Sequence, residues 1–309
     1  MKTALVTGAT GFVGSHLIAH LLDAGWQLKV LARDAGRMPQ SMSVTAVATT
    51  LHSPAAQWSQ ALEGVDVVFH LAGVAHRQAT EEELERVNTQ SPALLAIAAE
   101  SAGVESFVWL SSIKVLGETS TEPLSEDAVY APADPYARSK TRGEQNLREL
   151  TVRPGFRLSI VRPPLVYGVG VKANVLALLS LARLAQRGIP LPLGAAQAPR
   201  SLLAVSNLCQ FLMLAATRGD GLLHVADPRD LSVAQLLECL CRGRRLRLWS
   251  VPEATMRWLL RMAGREGIYR RLFEPLQMDC RDSFRRLDFH PAQDSGPLLD
   301  EMMTWFLRR

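Results

Sequence analysis

Tyr136 and Lys140 lie four residues apart, in the order Pro-Tyr-Ala-Arg-Ser-Lys. On a helix, this spacing places both side chains on one face. A phenol has an ordinary pKa of about 10, but a neighbouring ammonium stabilises the phenolate and lowers that pKa. The pair therefore predicts a proton donor or acceptor, although the same spacing is also common on helix faces that have no catalytic role.

Ser112 strengthens the catalytic interpretation, because it follows an apolar run at residues 106–110 that we expect to be a strand. A hydroxyl at this position can hydrogen-bond the same substrate oxygen that Tyr136 protonates. In parallel α/β folds, the carboxyl ends of strands open onto the ligand crevice. We therefore predict Ser112, Tyr136 and Lys140 as the catalytic residues.

The elements that must position these residues begin at the N-terminus, where an apolar strand at residues 4–6 is followed by a glycine turn and a helix at 15–22. Gly8 permits the tight turn, Gly11 lets the backbone approach a pyrophosphate, and Gly14 lets the helix pack closely. The helix N-terminus offers N–H groups and partial positive charge to phosphates. The segment predicts a dinucleotide site rather than a flexible turn.

Arg33 follows a second predicted strand, at residues 28–32. An acidic residue at this strand end would accept hydrogen bonds from a ribose 2′-hydroxyl, whereas an arginine accommodates a 2′-phosphate. Asp34 comes only one residue later. The order therefore favours NADP(H) over NAD(H), the alternative being that Arg33 is a solvated loop residue.

Strands and helices alternate along the rest of the chain, which predicts a Rossmann-type α/β fold with a doubly wound parallel sheet. We expect a smaller C-terminal substrate-binding region, because prolines break up the chain after residue 163. The predicted division is a NAD(P)-binding unit at 1–165, with 203–226 packing back on it, and a substrate-binding region at 166–202 and 227–309. The further predicted strands are 65–73, 106–110, 157–161 and 222–225, and the further predicted helices are 81–87, 92–102, 134–150, 175–186 and 202–216.

Composition excludes several classes of protein. The 309 residues are 48% hydrophobic and 21% charged, as in soluble globular proteins. No apolar run approaches the roughly 18 residues of a membrane span, and the first residues lead directly into the glycine strand rather than into a signal peptide. We therefore expect a cytoplasmic protein without stable membrane insertion. The four cysteines lack paired spacing, so we expect free thiols and no metal site, and the net charge of +4 does not indicate nucleic acid.

Six segments together resemble the extended short-chain dehydrogenase/reductases, specifically the sugar-nucleotide epimerase/dehydratase group. The segments are 7–14, 70–73, Val87-Asn88, 111–117, Tyr136 with Lys140, and 162–168. The resemblance implies a homodimer formed through the helices at 92–102 and 134–150, and an NAD(P)(H) cofactor. The cofactor contacts that it implies are Gly8, Thr10, Gly11, Phe12, Val13, Gly14, Arg33, Leu71, Ala72, Gly73, Asn88, Tyr136, Lys140 and Pro163.

A closer resemblance lies in segments 111–115, 162–168, 170–174 and 190–194. These are similar to bacterial surface-polysaccharide enzymes that reduce the 4-ketone of UDP-linked 4-keto-6-deoxy-N-acetylhexosamines to quinovosamine- or fucosamine-type sugars. That reduction is the function we expect. The alternatives are a UDP-hexose or UDP-N-acetylhexosamine 4-epimerase with tightly bound NAD and a non-catalytic NADP(H)-sensing protein. Leu116 departs from the group's Val-Tyr-Gly pattern, which puts sugar stacking at this position in doubt.

The resemblance also suggests substrate contacts from Ser112, Asn174 and Arg200. Asn174 has a helix cap as its alternative role, and Arg200 is either a diphosphate ligand or a surface arginine. Arg271 is a second diphosphate candidate. We expect His70, at the end of a buried strand, to be structural.

Arginines are dense between residues 242 and 271, and Trp249 and Trp258 lie among them. The pattern favours a helix that covers the substrate pocket with a solvated basic face. A membrane-surface role is the alternative. Nucleic-acid recognition is the weakest interpretation, because no binding module is visible.

Overall fold

The computed structural model describes residues 1–31, 44–47, 55–75, 79–150, 152–172, 174–241, 246–292 and 296–309. The strands are β1 (Thr3–Thr7), β2 (Gln27–Leu31), β3 (Val44–Val47), β4 (Val67–His70), β5 (Ser106–Leu110), β6 (Arg157–Arg162), β7 (Leu165–Tyr167), β8 (Leu202–Ala204) and β9 (Gly221–His224). The α-helices are α1 (Phe12–Asp23), α2 (Ala55–Leu62), α3 (Glu81–Leu84), α4 (Ser91–Ser101), α5 (Pro135–Arg148), α6 (Asn174–Gln186), α7 (Val205–Arg218), α8 (Val233–Leu240), α9 (Glu253–Met262), α10 (Glu266–Phe273), α11 (Arg281–Leu287) and α12 (Gly296–Leu307).

Seven parallel strands form the central sheet, in the order β3-β2-β1-β4-β5-β6-β9. Successive side chains of a strand point to opposite faces, and both faces are buried here. Val6 and Phe69 pack on one side with α1, α7 and α11, whereas Val68 and Phe107 pack on the other side with α2, α4 and α5. A strand covered on both faces is apolar throughout, which is why these strands were recognisable as apolar runs. The prediction of a doubly wound α/β fold is confirmed.

One predicted helix is wrong in its first residues. The prediction placed a helix at 202–216, but Leu202–Ala204 is strand β8, which pairs in parallel with β7, and α7 begins at Val205. The apolar side chains that suggested a helix here are buried between two packed layers. Tertiary pairing therefore decided the local structure. Strands β3 and β7 were not predicted.

The predicted helices at 81–87 and 92–102 are the two ends of one helical stretch. A π-helical segment, Glu85–Gln90, joins α3 to α4. Such segments are rare, and those that occur often lie at functional sites. This one carries Asn88, which is fully buried, and it packs against helix α5.

A second apolar core lies in the C-terminal region. It joins α6, α8, α10 and α12 around residues such as Leu179, Leu237 and Met302. Helix α8 is defined locally by a reciprocal capping box between Ser232 and Gln235. The division of the chain into two units remains a prediction. In the described ranges, we find no helix with the length and apolar character needed to cross a membrane.

Candidate active site

The glycine turn between β1 and α1 forms a cradle that is open only because its residues lack side chains. Gly8 has a φ of 71°, and a Cβ there would lie 2.7 Å from the backbone nitrogen of Ala72. A Cβ on Gly11 would lie 3.0 Å from the Gly8 carbonyl oxygen, and one on Gly14 would clash with that oxygen. Helix α1 begins after Gly11 with no side-chain cap. The turn and the helix end fit the pyrophosphate of a dinucleotide.

The residues around this turn fix its shape. Thr7 Oγ1 accepts a hydrogen bond from the Ala72 backbone N–H at 3.2 Å and lies 2.7 Å from His70 Nδ1. His70 is fully buried, and burial, with a smaller contribution from the charge of Lys140, lowers its pKa to about 3. A neutral imidazole beneath the turn fits the structural role predicted for it.

Other predicted cofactor residues line the same region. Phe12 packs its ring edge-on against His16, with ring centroids 5.6 Å apart, and lies against Gly168 and Gly170. It therefore links the glycine turn to the start of the C-terminal region. Three more predicted contacts differ in exposure: Thr10 is exposed, Val13 is half-buried, and Pro163 is buried.

Asn88 holds the loop after β4 in place. Its side-chain oxygen accepts from the Val74 N–H at 3.0 Å, and its amide nitrogen donates to the Val74 carbonyl at 2.8 Å and to Ser139 Oγ at 3.0 Å. These bonds fix the segment that contains Leu71, Ala72 and Gly73. Asn88 therefore supports the predicted cofactor loop through its hydrogen bonds to the backbone of Val74.

Ser112 and Tyr136 are the two residues predicted to hold the substrate oxygen and to transfer its proton. Ser112 lies two residues after the end of strand β5 and is the N-cap of a short 3₁₀ helix, Ile113–Leu116. Its hydroxyl hydrogen-bonds the Tyr136 side chain. Burial raises the pKa of Tyr136 to about 12, although the bond to Ser112 opposes the shift, while the charge of Asp134 adds to it. The phenol is therefore protonated at neutral pH, in the form that donates a proton.

Lys140 lies one turn after Tyr136 on α5. Its Nζ donates to the Leu110 carbonyl at 2.8 Å and lies 4.4 Å from the centre of the Trp109 ring. Burial lowers its pKa to about 7, and the charge of Glu144 opposes that shift. That Lys140 lowers the pKa of Tyr136 stays a prediction. A Cβ on Gly73 would lie 3.3 Å from Nζ, so Lys140 adjoins the cofactor loop.

A buried ion pair lies one helical turn beyond Lys140. Arg162 donates to both carboxylate oxygens of Glu144, at distances of 2.6 to 3.1 Å, and both side chains are fully buried. Ser111 and Tyr130 also donate to this carboxylate, at 2.5 and 2.8 Å. The pair ties α5 to β5 and β6 and so sets the positions of Lys140 and Ser112. It was not predicted, although an arginine ending an apolar strand signals a buried partner.

A cavity of about 490 Å³ opens beside Ser112. Most of its lining is apolar and comes from both sides of the molecule: Ile113, Pro164, Leu165, Ala177, Leu178, Leu181, Leu202, Leu231, Val233, Leu236, Ile268, Leu272 and Leu276. The polar lining is Ser112, Lys114, Glu118, Arg200, Ser232 and Arg271. Leu116 does not line the cavity; it is buried in a small core with Val115 and Leu276.

Lys114 was not predicted as a site residue. Its ammonium contacts Asp134 Oδ2 at 2.6 Å and Glu118 Oε1 at 3.2 Å. Asp134 also caps α5 by accepting from the Ala137 N–H at 2.7 Å. Burial raises the pKa of Asp134, but the bonds from Lys114 and Ala137 outweigh it, so the pKa is lowered overall. Lys114 therefore connects the cavity wall to the first turn of the catalytic helix.

Arg200 and Arg271 bring two guanidinium groups to the cavity. Arg200 donates to the backbone carbonyls of Glu274, Glu118 and Arg270, at 2.6, 3.2 and 3.4 Å. Burial lowers the pKa of Arg200 to about 10, and the charge of Arg271 contributes. Arg271 has no hydrogen bond or ion pair with another described residue. The two cations can bind an anionic substrate group such as a diphosphate.

For two predicted site residues, the structure describes only the backbone or nothing. Asn174 is the first residue of α6, but its side chain is not among the described ones. Arg33 lies outside the described residues, so its predicted contact with a 2′-phosphate stays a prediction. Among the described residues we find no cluster of His, Cys, Asp or Glu that could hold a metal ion.

Comparisons with known proteins place the chain among enzymes of one family. The sequence model of the NAD dependent epimerase/dehydratase family matches residues 4–231. A Vibrio cholerae protein named UDP-glucose 4-epimerase is 32% identical over 94% of this chain and 92% of its own length. A ceramide reductase of Caulobacter vibrioides is 33% identical over 60% of this chain and 52% of its own length.

A solved structure extends the comparison to the whole fold. MoeE5 in complex with UDP-glucose and NAD has a TM-score of 0.75 and 25% identity, covering 99% of both chains. The fold described above is therefore shared with a protein solved in complex with NAD.

Proposed function

Because this chain belongs to the NAD-dependent epimerase/dehydratase family, we propose that it reduces the 4-ketone of a UDP-linked 4-keto-6-deoxy-N-acetylhexosamine. The product would be a quinovosamine- or fucosamine-type sugar for surface polysaccharide synthesis. The observation that carries the proposal is Tyr136, a protonated phenol next to Ser112, and Ser112 lines the cavity. A ketone reduction needs a proton donor at this position.

Each catalytic residue then has a defined task. Ser112 and Tyr136 hydrogen-bond the C4 oxygen, and Tyr136 donates its proton as that oxygen becomes a hydroxyl. When bound, the dinucleotide supplies hydride. Lys140 lies between the Leu110 carbonyl and Gly73, where its donors can hold a ribose hydroxyl while Glu144 keeps the helix in position.

The cavity lining supports a deoxy sugar. Ile113, Pro164 and Leu165 follow the catalytic segments and present apolar surface close to Ser112. A C6 methyl is compatible with such surface, whereas a C6 hydroxyl would lose its hydrogen bonds to water without replacement. Arg200 and Arg271 would bind the diphosphate of the nucleotide.

The cofactor proposal keeps the preference for NADP(H) that Arg33 suggested. The family is NAD-dependent and MoeE5 is described with NAD, so these comparisons support NAD(H), and the preference for NADP(H) rests on Arg33 alone. Homodimerisation through α4 and α5 also remains part of the proposal.

A 4-epimerase with tightly bound NAD is the second candidate. It is favoured by the Vibrio cholerae relative, whose name is UDP-glucose 4-epimerase and which covers nearly the whole chain. An epimerase would use Tyr136 first to accept and then to return a proton. The enzyme names of the relatives speak against the NADP(H)-sensing alternative.

The test is a substrate panel with product identification. Purified protein is incubated with UDP-4-keto-6-deoxy-N-acetylglucosamine and either NADH or NADPH, and products are identified by NMR. UDP-glucose and UDP-N-acetylglucosamine are incubated without added dinucleotide. We expect 4-hydroxyl product only in the first set. Conversion of the second set to galacto epimers would replace the proposal by the epimerase.

A further inference from the structure

Helix α9 has no buried residue, although it carries several large apolar side chains. Trp258 is 61% exposed, Leu259 48% and Met262 72%. Their spacing places all three on one side of the helix, since residues three and four apart are neighbours on its surface. The opposite side is anchored, because Met256 and Leu260 pack against the C-terminal core. The exposed side is therefore an apolar face of a helix that is already fixed in place.

Cations flank this apolar face. Arg257 and Arg261 lie four residues apart on α9, and with Arg265, in the turn between α9 and α10, they make up the basic stripe. Arg261 and Arg265 have no carboxylate within ion-pair distance in the described part of the chain. The two acids nearby are engaged, since Glu253 bonds to the Tyr269 hydroxyl and Glu266 pairs with Arg270 at 3.4 Å. The stripe is therefore positively charged, and no carboxylate of the described residues forms an ion pair with it.

We propose that α9 docks the protein on an anionic lipid bilayer, with Trp258, Leu259 and Met262 in the interface and the arginines on the headgroup phosphates. Tryptophan is enriched at the level of lipid headgroups, and long basic side chains reach from an apolar face to the charged surface. A second copy of this chain is a poorer occupant, because a symmetric contact would bring the two basic stripes together.

Docking would place the active site near the membrane without inserting the chain. Helix α10 packs beside α9 and contributes Ile268, Arg271 and Leu272 to the cavity wall. The cavity is thus one helix away from the proposed lipid surface. This inference concerns a surface outside the catalytic site and holds whichever reaction the site performs.

The test is sedimentation of the full-length protein with vesicles. One set is phosphatidylcholine, and the other is equimolar phosphatidylcholine and phosphatidylglycerol. We expect binding to the anionic vesicles only, weakened by salt. Trp258→Ser with Met262→Ser should abolish it, and Arg261→Gln with Arg265→Gln should weaken it roughly tenfold or more. The matched control is Val129→Ser, which removes an 86% exposed apolar side chain elsewhere and should leave binding unchanged.

Three results of the vesicle assay would overturn the proposal. They are no binding to anionic vesicles, binding that the α9 variants leave unchanged, and equal binding to both vesicle types. Sedimentation velocity without vesicles is run on the same variants. If the Trp258 and Met262 substitutions change the oligomeric state there, the face is a contact between copies of this chain and the membrane proposal is wrong. Circular dichroism melting of each variant verifies that it is folded.

Discussion

The two sides of the active site differ in how they use their charges. On the sheet side, Lys140 is bonded to Leu110 and Arg162 is paired with Glu144, so the cations are already partnered. On the C-terminal side, Arg271 faces the cavity without a partner among the described residues. The sheet side is thus preorganised, whereas the C-terminal side offers charge to a ligand. Substitutions on the first side should therefore affect stability and turnover, and those on the second should affect substrate affinity.

The largest effect is expected at the buried ion pair. Glu144→Gln leaves Arg162 without a countercharge in a fully buried site, which should cost about 3–5 kcal/mol of unfolding free energy. Urea denaturation measures it. The matched control is Glu149→Gln, an exposed carboxylate at the end of the same helix, which should change stability by less than about 0.5 kcal/mol. Equal stability of the two variants would show that the pair does not hold the sheet side together.

Tyr136→Phe should have the next largest effect. It removes the proton donor but keeps the ring, so turnover should fall by roughly a hundredfold or more while dinucleotide affinity changes little. Steady-state kinetics and fluorescence titration of the dinucleotide separate the two quantities. Near-wild-type turnover would show that another group donates the proton.

Much of the sheet side could be predicted from the sequence because its signals are local. The glycine turn, the Tyr136–Lys140 spacing and the serine after β5 each lie within one short segment whose backbone the sheet determines. The direction of the Lys140 side chain could not be predicted, because it depends on the Leu110 carbonyl and the Trp109 ring from another strand.

The C-terminal side was harder to predict because its wall comes from distant segments. Leu202 was expected in a helix but pairs with Leu165 in a strand, and both line the cavity beside Arg271. No local pattern reports such pairing between segments far apart. Arg200 and Arg271 were candidates through a resemblance, but only the structure shows that one is bonded to carbonyls and the other is not.

The two arginines of the cavity test the proposed difference between the sheet side and the C-terminal side of the active site. Arg271→Ala should raise the KM for a UDP-sugar about tenfold or more, because a charge-assisted hydrogen bond contributes about 1.5–3 kcal/mol. It should leave the melting temperature unchanged. Arg200→Ala should raise the KM and also lower the melting temperature, since it leaves three carbonyls without their donor. Equal melting temperatures for both variants would show that Arg200 does not stabilise the fold more than Arg271 does.

The smallest effect is expected for Lys140→Met, which should gain stability by an amount that depends on pH. The pKa of Lys140 is about 7 in the folded protein, below the value of about 10.4 for an exposed lysine. Between these values the unfolded chain binds more protons, so Lys140 destabilises the fold at pH 7 and progressively less as pH rises.

Lys140→Met should therefore raise the melting temperature by a few degrees at pH 7 and by less at pH 9, while abolishing turnover. Scanning calorimetry of both proteins at the two pH values measures the difference. A variant that melts below the wild type at pH 7 would show that the contacts of Lys140 with Leu110 and Trp109 outweigh its desolvation.

The most direct test of the proposed reduction is the stoichiometry of the dinucleotide. The wild-type protein is mixed with UDP-4-keto-6-deoxy-N-acetylglucosamine and a limiting amount of NADPH or NADH, and the loss of absorbance is compared with the product formed. A reductase consumes one reduced dinucleotide for each 4-hydroxyl product, and the reaction stops when the dinucleotide is exhausted. Turnover of a UDP-hexose that continues without net consumption of dinucleotide would contradict this account and identify an epimerase.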